Sequence, residues 1–297
     1  MMNKTTVYAI AIVVLLLANG WLFFSEKTVQ GGEKRNYFDT ENLERVNLFL
    51  FRNKEDTTKI EKTADGWVVN GRYRADERFL NTLFSIIERI ESGRKFEGWD
   101  EEIAGAVEIR MGADAGYQFQ LATNPTKTKS FFIAEGEVTE VSVPGYRDNV
   151  VDIFLLHPDQ WRDRLVIDAS WRSIQKLTVS EAVEKDLTLT FDDKFFLVNG
   201  QPAQDSSAVV DYLNQFQYFE ANEMISPGRF PKFDSLAKTT PAATLEIDDI
   251  KLDKPMLLNI FPKLDNQAYH LVTNENGMMV IDAARVEGFL ASARDFE

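Results

Sequence analysis

Two histidines, no cysteine and 47 acidic side chains make up most of the chain's reactive groups. Without cysteine there is no disulfide, no thiolate metal site and no thiol nucleophile. His157 stands in Leu156-His157-Pro158-Asp159, where a histidine before proline reads as the end of one element and the start of another. No nucleophile motif accompanies it. His270 lies in a β-like run at a position that an internal repeat, described below, sets against Phe132, so packing is the simpler reading. Asp248, Asp249 and Asp253 lack the alternating spacing and the closing glutamate of a calcium loop. Asp192-Asp193 falls where a hairpin tip needs turn residues, and Gly112-Ala113-Asp114-Ala115-Gly116 fits a hairpin turn better than a phosphate cradle. No P-loop, dinucleotide fingerprint, HExxH or GxSxG is present. Paired carboxylates of the glycosidase kind have no sequence signature. The sequence therefore assigns no catalytic residue, no cofactor-binding residue, no cofactor and no metal ligand, and it points away from an enzyme.

Apolar residues in unusual places are the better lead. Asn222 to Pro241 holds Pro227, Gly228, Pro231 and Pro241, which predict an irregular path. It also carries Met224, Ile225, Phe230 and Phe233; the matching stretch Gly93 to Gly105 offers Phe96 and Trp99. These six form a candidate surface for a protein partner, with exposed aromatics as anchors. The competing reading tucks the side chains of 222–241 under a sheet as a lid. Trp99, Trp161 and Trp171 could alternatively stack on sugars, although buried tryptophan is the simpler account.

These residues need elements to hold them. Val7 to Phe24 is 18 residues without a charge, a helix of about 27 Å that would suit a bilayer. Leu22, Phe23 and Phe24 occupy the place where a signal peptide would need small residues, so an uncleaved anchor is expected. The short tail 1–6 and the single apolar helix resemble a signal-anchor, which would place the rest in the periplasm. Residues 25–42 read as a polar tether.

Beyond the tether the chain repeats. Gly66-Trp67-Val68-Val69-Asn70-Gly71 returns as Phe195-Phe196-Leu197-Val198-Asn199-Gly200 at an offset of 129. Val107-Glu108-Ile109 returns as Leu245-Glu246-Ile247, and Phe131 to Ala134 as Tyr269 to Val272, both at 138. Val151 to Leu155 meets Val286 to Leu290. The shared order argues for two copies of one unit, 43–163 and 173–297, joined by 164–172. In each, alternating runs predict hairpins, followed by one-faced helices over Ala75 to Ser92 and Ser206 to Phe219. The expected fold is α+β: an N-terminal transmembrane helix, then two tandem repeats of an antiparallel sheet with helices. A net charge of −14 argues against a nucleic-acid binder.

The anchor, the tandem units and the Gly-Trp-Val hairpin together resemble the domain of unknown function 4340 family, uncharacterised bacterial membrane-anchored proteins with Bacteroidetes-type members. Asp159-Gln160-Trp161-Arg162-Asp163-Arg164-Leu165 with Trp171-Arg172-Ser173-Ile174 resembles its join between units. Phe233-Asp234-Ser235-Leu236 and Pro241-Ala242-Ala243-Thr244-Leu245 resemble its element before a strand, whereas Trp99-Asp100-Glu101 departs from it by lacking proline. The resemblance implies an accessory role beside ABC-type export or gliding-associated membrane components. The expected function is thus a non-enzymatic scaffold in the bacterial inner membrane, single-pass, binding an envelope protein partner. The alternative is an extracytoplasmic glycan or small-ligand module with a cleft between two lobes.

Overall fold

The structure, a computed structural model, describes residues 35–97, 102–112, 114–146, 149–181, 186–264, 267–290 and 292–296. Strands β1 (Arg35–Asn36), β2 (Val46–Arg52), β3 (Thr57–Thr63), β4 (Gly66–Val69) and β5 (Tyr73–Arg74) lead to helix α1 (Glu77–Arg89). Then come β6 (Glu91–Glu97), β7 (Ile103–Met111), β8 (Asp114–Thr123), β9 (Ser130–Ala134), β10 (Glu137–Ser142) and the single turn α2 (Val151–Phe154). The chain continues through β11 (Leu165–Ile167), β12 (Ile174–Glu181), β13 (Leu187–Asp192), β14 (Phe195–Val198), β15 (Gln201–Pro202) and α3 (Ser206–Asn214). Next are β16 (Phe219–Glu220), β17 (Glu223–Ile225) and α4 (Pro231–Leu236). Strands β18 (Ala243–Asp249), β19 (Met256–Ile260), β20 (Tyr269–Asn274) and β21 (Gly277–Asp282) precede α5 (Ala283–Phe289).

Contacts divide the described residues into two units, 35–62 with 78–156 and 63–77 with 157–296. In the first, the strand order runs β1-β6-β10-β9-β8-β7-β2-β3; in the second it runs β17-β21-β20-β19-β18-β12-β13-β14-β15. From β6 to β3 and from β17 to β13 the two orders correspond strand for strand. The hairpins β4-β5 and β14-β15 turn on the same dipeptide. Asn70 and Gly71 have φ of 50° and 66°, Asn199 and Gly200 of 48° and 81°. Both central residues of such a tight hairpin turn must be left-handed, which asparagine tolerates and glycine adopts without steric cost.

Ladder register aligns the copies more finely than sequence matching. Ile109 pairs with Tyr117 and Ile247 with Met256, so the offset of 138 holds on β7 and β18. The link from Asp249 to Met256 is longer than that from Met111 to Asp114, and the register shifts there. Leu121 then pairs with Phe132 and Ile260 with Val272, an offset of 272 − 132 = 140. His270 consequently aligns with Ser130 rather than Phe132, and its Nδ1 lies 2.9 Å from the Phe261 carbonyl oxygen.

The core of the first unit is aromatic. Leu80, Leu83 and Ile87 form the buried stripe of α1, each worth about 1.5–3 kcal/mol of burial. Phe49, Phe132 and Phe154 are fully buried; Phe49 meets Phe84 edge-on at 5.3 Å and Phe154 meets Phe132 at 5.9 Å. In the second unit Leu177, Leu189, Leu213, Phe216, Leu245 and Ile247 share one core. Asp205 caps α3 by accepting from the Ser207 and Ala208 amides.

Several expectations need correction. The fold is mainly antiparallel β rather than α+β, because the helices are short and strands carry both cores. Glu91–Glu97 and Glu223–Ile225, which show no clean alternation, become strands only through pairing with β10 and β21. The helix expected to reach Ser92 ends at Arg89, and Gly93 belongs to β6. The expected anchor Val7–Phe24 lies outside the described residues, and no helix among the described residues is long and apolar enough to cross a membrane. The single-pass helix, the membrane as a partner and the inner-membrane placement with a periplasmic domain are therefore withdrawn.

Candidate functional site

The second unit contains a cleft of about 420 Å³, and the residues that build it come from distant parts of the chain. Its first wall is the β4-β5 hairpin with Arg72, Tyr73 and Arg74. The Ala75 amide donates to the Trp67 carbonyl, the Asp76 amide to that of Trp161, and the Asp163 amide to that of Arg74. These bonds hold the hairpin against residues 161–163. Hence 63–77 counts with the second unit, and Trp161 to Asp163 form part of a wall, where the sequence had suggested a repeat boundary.

Asp159 organises this wall. Its side chain is fully buried, as is nearly all of Arg162. Arg162 Nη1 donates to Asp159 Oδ1 over 3.1 Å, the Ser226 amide donates to Oδ2 over 2.8 Å, and the Ser226 hydroxyl donates to Oδ1 over 2.5 Å. Arg229 Nη1 reaches Oδ2 at 3.3 Å and also bonds Glu223. Burial alone would raise the pKa of Asp159, but the Ser226 hydroxyl and amide and the Arg162 guanidinium outweigh it and hold the carboxyl below its ordinary value. A carboxylate so encircled is a fixed charge. It aims Arg162, whose Cζ lies 3.6 Å from the centroid of the Tyr73 ring and whose Nη2 donates to the Asn276 carbonyl. His157 caps the 3₁₀ turn that begins at Pro158, with Nδ1 accepting from the Asp159 amide, which gives it a structural task.

The other walls come from β11 and from the ends of β18, β19, β20 and β21. Lys251 Nζ donates to the Asp168 carbonyl at 2.9 Å and to its carboxylate at 3.2 Å, and Arg74 lies 3.6 Å from Asp163. Met224, Met256, Met279 and Leu252 supply apolar lining. Three lining residues use one end of the side chain on the protein and leave the other without a partner. Asp249 Oδ1 accepts from the Lys251 amide while Oδ2 accepts nothing. Asn274 Oδ1 accepts from the Asn276 amide while Nδ2 donates to nothing. Arg162 commits both terminal nitrogens and leaves Nε unbonded. Asp249 and Arg162 are each only 2% exposed. All three atoms are shielded from solvent, so they belong to the interior of the wall.

The residues singled out from sequence lie elsewhere or inside. Met224, Ile225 and Phe233 are buried, and Phe230 packs on the cluster of Ile225, Phe233 and Phe261. Phe96 packs against Ala122, Phe131 and Val138, and Trp99 lies outside the described residues. The described members therefore do not form an exposed partner surface; they are lid and core. Trp161 is fully buried, and Trp171 is partly buried against the second unit's core. In the sequence Asp249 belongs to an acidic cluster without calcium-loop spacing, and Arg162 to the stretch that resembles a join. Nothing in their local sequence announces the cleft.

Compared with known proteins, the chain matches no family model, no curated protein and no solved structure.

Proposed function

We propose that the protein is a binding protein whose second unit takes a polar ligand in this cleft. The observation that carries the reading is the cleft itself, about 420 Å³, in which Arg72, Lys251, Asp168 and Asn276 line one cavity with Met224, Met256 and Met279. The cavity volume lies within the usual range for ligand sites, about 300–1,000 Å³. The charged rim is already cross-linked by Arg74–Asp163 and Lys251–Asp168, so the site is stiff before anything binds.

The test is calorimetry on the full chain against a panel of free amino acids, hydroxy acids, sugar acids and short peptides. At least one class should bind, and Asp249→Asn, which turns the free acceptor into a donor, should abolish the signal while leaving the circular dichroism spectrum unchanged. A panel without any binder, or binding indifferent to Asp249→Asn, overturns the reading.

A further inference from the structure

We propose that Asn276 is a site of self-modification, where Arg162 assists the Asn276-Gly277 peptide in closing to a succinimide that water opens to aspartate or isoaspartate. The inference does not depend on the binding reading above.

The described residues contain three Asn-Gly dipeptides, Asn70-Gly71, Asn199-Gly200 and Asn276-Gly277. Glycine brings no side chain to shield its nitrogen from the preceding carboxamide. The chemistry open to all three is the same. The glycine nitrogen loses its proton and attacks the asparagine Cγ, a C–N bond forms, and the carboxamide nitrogen takes up a proton and leaves as ammonia. Water then adds to one ring carbonyl carbon and breaks its bond to the ring nitrogen. Attack at Cγ yields aspartate, and attack at the main-chain carbon yields isoaspartate, with the chain rerouted through the side chain.

What differs is the setting. Asn70-Gly71 and Asn199-Gly200 occupy hairpin turns in which both residues are left-handed. Asn199 is fixed further, because its Oδ1 accepts from the Thr188 amide over 2.7 Å and its own amide donates to the Thr188 carbonyl over 2.8 Å. That carboxamide cannot swing onto the next nitrogen without breaking its bond. Asn276 stands at the tip of the β20-β21 hairpin, where Asn274 faces Gly277 across the ladder. It is exposed and outside the left-handed region, and only its main-chain atoms are hydrogen-bonded among the described residues.

Arg162 supplies the second difference. Its Nη2 donates over 3.1 Å to the Asn276 carbonyl, which belongs to the same peptide unit as the attacking Gly277 nitrogen. Amide resonance spreads the charge of the deprotonated nitrogen onto that oxygen, where the guanidinium already sits. A charged donor preplaced where charge develops lowers the barrier. Asp159 holds the guanidinium there, and a Cβ built on Gly277 would lie 3.5 Å from Nη2, so Arg162 rests against this peptide. Modification would put a carboxylate on the lining of the cleft, and the isoaspartate form would displace the carbonyl that Arg162 holds.

The experiment incubates the full chain in mildly alkaline buffer, folded or in urea, and follows ammonia loss and acid formation at each dipeptide by peptide mass spectrometry. In urea the three should react at similar rates. In the folded chain Asn276 should react about tenfold faster than Asn70 or Asn199, the scale of one hydrogen bond to a charged group. It should also react faster than it does in urea. The double variant Asp159→Asn with Arg162→Gln removes the guanidinium without leaving a lone buried charge. It should slow Asn276 about tenfold and leave Asn199 unchanged. An Asn276 no faster than Asn199 in the folded chain overturns the inference, as does an unchanged Asn276 rate in a double variant with the native circular dichroism spectrum. Should that variant unfold, the comparison with urea decides: slower reaction at Asn276 in the folded wild type overturns the inference.

Discussion

At equivalent ladder positions the two units make opposite choices. Val46 pairs with Met111 in the first and Ile174 with Asp249 in the second. The neighbour of Ile109 across the hairpin is Tyr117, and that of Ile247 is Met256. Around Tyr117 the first unit gathers Tyr37, Phe38, Phe119 and Phe132, with ring centroids 4.4–6.3 Å apart. The Tyr117 hydroxyl accepts from the Asp39 amide, and burial, then Glu137 and Tyr117, push Tyr37 up to about 12. The second unit puts a flexible methionine and a buried carboxylate at those positions and has a cleft beside them. The same strand order thus serves a closed aromatic core in one copy and a polar recess in the other, because a sheet specifies which residues face each other and not how well they fill the space.

The largest effect should follow from breaking the charge network that only the second unit has. Asp159→Ala leaves Arg162 buried without its counter-charge and should cost about 4 kcal/mol, read as a lower urea midpoint. Because Asp159 titrates below its unfolded value of about 3.9, its contribution is complete at neutral pH. It should be lost as pH falls from that value through the folded one. Asp159→Asn should flatten this acid limb of stability against pH; an unchanged limb would show that other carboxylates dominate it.

Phe38→Ala should cost the first unit about 3 kcal/mol, since the ring is 2% exposed and touches Tyr37, Tyr117, Phe119 and Phe132. Hydrogen exchange should locate the loss in β8 and β9. If protection there is retained, the aromatic cluster is not what closes the first unit.

A smaller change tests what the copies share. Gly71→Ala and Gly200→Ala each force a side chain into the left-handed region and should each lower stability by about 1–2 kcal/mol. A large inequality between them would mean that the two hairpins are held differently. Smallest in stability and largest in function is Asp249→Met, which installs the first copy's residue. Removing the unpaired oxygen is offset by loss of the Lys251 amide's acceptor, so the urea midpoint should stay nearly unchanged while binding in calorimetry is abolished.

Much of the scaffold was legible in the residues. The alternation in Leu187 to Phe191 and the apolar stripe of α1 gave a hairpin and a helix close to their observed bounds, because each depends on near neighbours. Strands β6 and β17 were not legible, since a short segment without alternation becomes a strand only when another offers its hydrogen bonds. Met224, Ile225 and Phe233 looked available for a partner because periodicity cannot say which irregular segments fold inward.

The sequence by itself determined that strand-rich stretches recur along the chain and that the chain is acidic, consequences of local period and charge count. Only the tertiary structure decided the site. Asp159 meets Ser226 across 67 residues and Arg162 meets Asn276 across 114, so neither network has a local trace. Whether a buried Asp249 oxygen is paired depends on the atoms that long-range packing brings beside it, and packing left that oxygen open.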